Sequence, residues 1–273
     1  MPAASERPAG TVVFIHGLWM TPLSWEGWTR YFQERGYGVL APAWPGLEGT
    51  VADIRRDPSR VAGVGLEEVI GHFEEIVRNL DAAPVIIGHS FGGAITQVLL
   101  DRGLGSAGVA IDSAPVKGVL PLPWSTLRSS WPVLDNPANR SKAVALTPRQ
   151  FHYAFTNTLG ESESAAVYER YQVPGSARVL FQGAFANFSP RAATRVDFRN
   201  PRRAPLLLVA GGADHVVPTR VNKANWRLYR TSPAITDYRE FPGRSHFTVG
   251  QEGWEEVADY VLAWVAHQSG GRP

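Results

Sequence analysis

The hexapeptide Gly88-His89-Ser90-Phe91-Gly92-Gly93 constrains this chain more than any other stretch. It follows a short apolar run, residues 84–88, and opens a helical pattern over residues 92–102 that puts Ala94, Ile95, Val98 and Leu99 on one side. A strand that passes into a helix this abruptly holds the serine on a strained turn, so its neighbours two residues away must be small. Gly88 and Gly92 meet that need, and Gly93 lets the helix lie close to the sheet.

The rest of the chain supplies a sheet for that turn. Apolar runs at 11–15, 38–41, 107–111, 205–210 and 234–241 predict further strands. Helical spacing predicts helices over 22–36 (opened by Thr21-Pro22 and closed by Gly36), 66–80, 219–230 and 252–267. Alternating strands and helices imply an α/β fold: a mainly parallel sheet with helices on both faces, and ligands at the carboxyl ends of its strands. Residues 47–64 read as an irregular loop.

The alternation stops from about residue 113 to 204. That stretch holds several prolines and a helix signature at Thr147-Pro148, running through Phe151 and Phe155 to Gly160, with a second helical stretch around 176–185. An insertion so long and so structured is no loop. It predicts a helical cap, residues 113–204, over a core made of residues 1–112 and 205–273.

Composition narrows the chemistry. The chain has no cysteine, which removes disulfides, thiolate catalysis and Cys-ligated zinc together. Its 27 Lys and Arg against 25 Asp and Glu leave a net charge of +2, which does not argue for a nucleic-acid partner. The arginine-rich stretch 191–203 reads as a solvated loop. No apolar run is long enough to span a membrane, and the N-terminal MPAASERPAG lacks a signal-peptide core, so the expected compartment is the cytoplasm. No metal or organic cofactor is called for, and the oligomeric state is left open.

A serine hydroxyl becomes a useful nucleophile when a base takes its proton. Among seven histidines, His246 lies just past the last predicted strand and before the last helix, at the edge where Ser90 belongs. His72 and His267 fall on helices and read as surface residues, and His152 lies in the cap. His89 and His215 adjoin catalytic candidates and are expected to point elsewhere, while His16 braces its loop. The imidazole needs a carboxylate partner. Asp214 follows the strand ending at Ala210 and gives the chain order Ser, Asp, His; Asp112, which ends the strand after the serine, is the rival acid. Two backbone N–H groups, of Leu18 and Phe91, are the expected oxyanion donors.

These motifs, together with Gly-Gly-Ala-Asp-His-Val-Val-Pro (211–218) and Ser-His-Phe (245–247), resemble the α/β-hydrolase superfamily from residue 11 to about 268. The segment 16–28 is also similar to its capped methylesterase and hydroxynitrile-lyase branch. The resemblance implies a mainly parallel sheet with a cap inserted after the strand that follows the serine turn. One departure is visible: ten residues precede the first strand, too few for the family's usual amino-terminal antiparallel strands. Epoxide hydrolases and haloalkane dehalogenases of this fold carry aspartate where this chain has Ser90.

Trp19, Met20, Trp124, Trp131, Phe155 and Phe185 fall on loops or cap segments that should face the site, as do Phe91, Phe151 and Phe188. They predict an apolar pocket and a small hydrophobic ester as partner. The leading expectation is hydrolysis of a carboxylic ester or lactone through an acyl-enzyme on Ser90. Carbon–carbon or thioester hydrolysis, perhydrolysis or cyanohydrin cleavage on the same residues is the alternative, and a non-catalytic ligand-binding member is a third reading.

Overall fold

The computed structural model describes residues 10–270. Six strands form one sheet: β1 (Thr11–Ile15), β2 (Gly38–Leu40), β3 (Val85–His89), β4 (Ala107–Ile111), β7 (Leu206–Gly211) and β8 (Thr236–Phe241). Their order is β2-β1-β3-β4-β7-β8, and every pairing is parallel. Two short strands, β5 (Ala143–Val144) and β6 (Gly175–Ser176), pair antiparallel within the 113–204 insert. The ladders match Ile15 with Gly88, His89 with Ile111 and Ile111 with Val209, which brings the carboxyl ends of four adjacent strands to one edge.

Alternation along each strand feeds two cores. Val12 and Phe14 of β1 face the layer of helices α1 (Glu26–Gln33) and α10 (Trp254–Gly270). Val13 and Ile15 face α3 (Leu66–Arg78), α4 (Phe91–Asp101) and α9 (Thr219–Tyr229). The first core is aromatic: Phe14 stacks on Trp25 at 4.7 Å and meets Trp28 and Phe32 edge-on. The Trp28 indole N–H donates to Val249 O at 2.9 Å, so the ring is buried with its polar atom satisfied.

Two regions differ from expectation. The predicted loop 47–64 contains α2 (Val51–Arg56), opened by a capping box in which Asp53 N–H donates to Thr50 Oγ1 and Thr50 N–H to Asp53 Oδ2, both at 3.2 Å. The aspartate does the work that Glu or Gln does in the usual signature. The insert holds four helices rather than two: α5 (Trp124–Leu134), α6 (Pro148–Phe155), α7 (Glu161–Tyr171) and α8 (Ala177–Ala184). α5 carries an internal proline, Pro132, and α7 buries fully only Ser164, with Val167, Tyr168 and Tyr171 half-buried against the core on the same face. α6 opens where Thr147-Pro148 predicts but ends at Phe155 rather than Gly160.

Four of the five arginines in the 191–203 stretch are exposed, and the fifth is buried. Arg203 is 5% exposed, and its guanidinium donates to the carbonyls of Ala204, Ala234 and Ile235. No helix among the described residues is long and apolar enough to cross a membrane.

Candidate active site

Ser90 stands between β3 and α4 with φ 56° and ψ −120°. Among the described residues, the only others outside glycine with positive φ are Trp19 and Asp112, just past the ends of β1 and β4. The strain is thus confined to this sheet edge, where a backbone held out of its preferred basins needs close support. A Cβ on Gly88 would lie 2.0 Å from Gly92 O, and one on Gly92 would lie 2.0 Å from Ile15 O. The turn closes only with glycine at both positions.

The fold brings three separate chain segments together. His246 Nδ1–H donates to Asp214 Oδ2 at 2.7 Å, and His246 Nε2 faces Ser90 Oγ at 3.0 Å. With Nδ1 as donor, Nε2 carries the lone pair and accepts the serine hydroxyl. The other carboxylate oxygen of Asp214 accepts from Val216 N and Val217 N at 2.7 and 2.9 Å, which fixes the acid on its loop. Burial pulls the His246 pKa down, but the charge and hydrogen bond of Asp214 outweigh it and hold the imidazole above its ordinary value.

Asp112 sits beside this chain of bonds. It is fully buried; its Oδ1 accepts from Gly211 N at 2.6 Å, while Oδ2 has no partner. The nearby Thr248 hydroxyl already donates to Ser245 O. Burial, then repulsion from Asp214, pushes the Asp112 carboxyl up to about 8. It is therefore largely protonated at neutral pH, whereas Asp214 takes the hydrogen bond from His246.

The remaining histidines sort by their bonds. His16 accepts Trp44 N at Nε2 (3.2 Å), donates from Nδ1 to Gly17 O (3.0 Å) and stacks on Trp44; burial lowers its pKa to about 4. It is a neutral loop brace, as the sequence implies. His215 donates from Nδ1 to Tyr153 O at 2.9 Å, away from His246. His89, by contrast, does not point elsewhere: its Nε2–H donates to His246 O at 2.8 Å and the two rings lie 4.7 Å apart. Sequence reasoning missed that contact, which depends on how the His89 ring is turned across the sheet edge. His72 is half-buried and His267 exposed.

His89, Asp112 and His246 also form a group of metal-ligating types, with atoms within 4.8 Å of one another. Both nitrogens of His246 and Nε2 of His89 are engaged in hydrogen bonds, which leaves His89 Nδ1 and Asp112 Oδ2 as the unpartnered atoms of the group.

The loop after β1 completes the edge. A Cβ on Gly17 would lie 2.8 Å from Ser90 Cβ, so this loop lies against the serine. Phe91 opens α4, and neither its N–H nor that of Leu18 has a hydrogen-bond partner among the described residues. Residues 113–204 are hydrogen-bonded to this edge. Trp19 Nε1–H donates to Val144 O, Val173 N to Trp19 O and Phe247 N to Phe155 O, each at 3.0 Å. Thr126 Oγ1 donates to Val216 O at 2.8 Å, and Asn157 Nδ2 to Ala213 O at 2.9 Å.

The predicted pocket residues divide. Phe155 is buried with its ring edge-on to His246 at 4.8 Å, Trp19 meets Phe155 at 6.0 Å, and Met20 is buried in the same core. Trp124, Trp131 and Phe185 are instead 75%, 63% and 54% exposed, which corrects their placement in an enclosed pocket. α5 turns Ser129 and Val133 inward, and Trp124 and Trp131, two turns apart, share the opposite face. Phe185 lies against Phe181 and Phe188 on the outside of α8, while Gly183 on the inner side meets Phe91. An open cleft of about 920 Å³, between residues 21–23, the 41–52 loop and α7, is lined by none of Ser90, Asp214 or His246.

The model of the α/β-hydrolase family matches residues 12–260, most of the chain. The chain belongs to the α/β-hydrolase family. Among solved structures it is similar to a monoacylglycerol lipase of Paleococcus ferrophilus (20% identity, 95% of each chain, TM-score 0.65). It is also similar to a thermophilic esterase of Thermogutta terrifontis (14%, 96% of this chain and 91% of that one, 0.67) and to the methylesterase MES16 of Arabidopsis (13%, 95% and 100%, 0.65). At such identities the likeness is one of fold. No curated protein matches the sequence. The α/β-hydrolase sheet here has β2 at its edge, and among the described residues no antiparallel strand joins it.

Proposed function

We propose that this α/β-hydrolase cleaves carboxylic esters, lactones included, by acyl transfer to Ser90. The observation that carries the reading is the hydrogen-bonded line from Ser90 Oγ through His246 to Asp214, at 3.0 and 2.7 Å, on a turn with φ 56°. His246 Nε2 takes the hydroxyl proton as Ser90 Oγ attacks the ester carbonyl. The N–H groups of Phe91 and Leu18 receive the oxyanion that forms. The imidazolium, held by Asp214, returns the proton to the leaving alkoxide. Water activated by the same His246 then frees the acid and restores Ser90.

Residues 113–204 act in this reading as a cap over the reacting centre. Trp19, Phe91 and Phe155 form the apolar surroundings of the acyl group, favouring small hydrophobic esters over charged ones. Trp124, Trp131 and Phe185 have no part in that enclosure. The test is a panel of 4-nitrophenyl esters, aryl esters and lactones, with S90A as control. Ester turnover lost in S90A supports the reading; no turnover of any ester or lactone, or a preference for highly charged substrates, contradicts it.

A further inference from the structure

A second cavity, of about 340 Å³, lies on the outer side of the insert. It is bounded by the turn Pro137–Ser141, the outer face of α8, residues 189–193 and Glu67 at the start of α3. Its volume suits a small organic ligand. Phe181 and Phe185 form one wall, stacked 6.3 Å apart with planes inclined by 12°. Arg140 and Arg191 line the same cavity, and among the described residues neither guanidinium has a hydrogen-bond or ion-pair partner. Glu67, the cavity's one carboxylate, is taken by Gln182, whose Nε2 donates to it at 2.6 Å while its Oε1 accepts Leu66 N at 2.7 Å.

Two guanidiniums against one carboxylate leave the cavity with one surplus positive charge beside a flat apolar wall. A guanidinium pairs best with a carboxylate or a similar planar anion through paired N–H donors. We propose that this cavity is a binding site for an amphipathic monocarboxylate, its carboxylate held by Arg140 and Arg191 and its alkyl or aryl body laid on Phe181 and Phe185. α8 connects the site to the serine turn. Phe181 and Phe185 lie on its outer side, while on its inner side a Cβ at Gly183 would meet the Phe91 ring at 2.7 Å. Occupancy therefore bears on a helix that touches the residue after Ser90.

The site is tested without turnover by calorimetric titration of octanoate and of 4-chlorobenzoate into S90A, so the result is independent of the proposed ester chemistry. At least one of the two acids binds, and R140Q/R191Q in the S90A background weakens it by tenfold or more. K142Q, which removes an exposed lysine outside the cavity, leaves binding unchanged. Octanol and acetate, each lacking half of the ligand's character, bind at least tenfold more weakly than octanoate. Absence of binding, unchanged affinity in R140Q/R191Q, or acetate binding as tightly as octanoate overturns the proposal. A single R140Q variant repeats the comparison if the double variant does not fold.

The source of the acid is separated in the unmutated enzyme, and this arm rests on the ester reading. If the occupant is the enzyme's own product, progress curves with 4-nitrophenyl octanoate bend as octanoate accumulates and straighten in R140Q/R191Q. If it comes from elsewhere, octanoate still binds through the two arginines but the curves of both proteins coincide.

Discussion

The His246 Nδ1–H···Oδ2 Asp214 hydrogen bond, 2.7 Å long, has a second buried carboxyl beside it: an oxygen of Asp112 lies within 4.8 Å of an imidazole nitrogen. Two carboxylates this close to one imidazole do not ionise alike. Asp214 accepts hydrogen bonds from His246, Val216 and Val217. Asp112 has one, from Gly211, and a bare second oxygen, and it stays protonated at neutral pH. The rivalry between the two acids thus resolves on geometry: Asp214 accepts the imidazole hydrogen bond, and Asp112 is its neutral neighbour.

The first prediction separates them by mutation. D214N should lower kcat by about 10³–10⁴-fold, since the amide cannot hold the imidazolium or its tautomer. D112N replaces one neutral group with another of the same shape and should leave kcat at pH 7 within a few-fold. Steady-state kinetics on both variants decide it, and the reverse pattern would make Asp112 the acid.

Much of this was legible in the sequence, and the failures have physical reasons. Ser90, His246 and Asp214 were readable because each stands just past a strand, and parallel strands in register bring those ends to one edge. The contact between His89 and His246 was not readable, because it depends on the rotation of a ring across the sheet edge. Helix α7 was hidden because a serine, a valine and two tyrosines (Ser164, Val167, Tyr168 and Tyr171) make up its inward face, and α2 by an aspartate in place of the usual Glu or Gln at its capping box. Trp124 and Trp131 were placed in the pocket because they fall on a cap segment expected to face the site; which face of α5 they occupy was settled by Ser129 and Val133 turning inward.

A second prediction concerns pH and turnover. Because Asp214 holds His246 above its ordinary value, the rising limb of kcat/KM should have its midpoint above 6.5. Removing that charge leaves burial as the dominant influence, so the limb should move to lower pH in both D214N and D112N/D214N. A limb that stays in place in both variants would contradict the electrostatic account.

The third prediction is about stability. The Asp112 carboxyl has a folded pKa near 8 against an ordinary 3.8, so the folded state binds more protons than the unfolded one between those values. Its contribution is therefore fully present below about 4 and is lost as pH rises through about 8. D112N abolishes this loss. The Tm of D112N relative to the unmutated protein should rise steadily from pH 5 to pH 9, as measured by circular dichroism.

The fourth prediction tests the turn itself. G92A drives a methyl into the carbonyl of Ile15, and G88A drives one into Gly92 O. Backbone must move in either case, at a cost of about 1–3 kcal/mol or more. Both variants should show lowered Tm together with lost turnover, whereas G71A, where a Cβ meets nothing within 4 Å, should keep both.

The account turns on Ser90 being a nucleophile activated by His246. Intact-mass analysis after treatment with a fluorophosphonate tests that directly. The expected result is one adduct per chain, on Ser90 by peptide mapping, absent in S90A and formed far more slowly in H246Q. No adduct on the unmutated protein, or an adduct on another serine that persists in S90A, would contradict it.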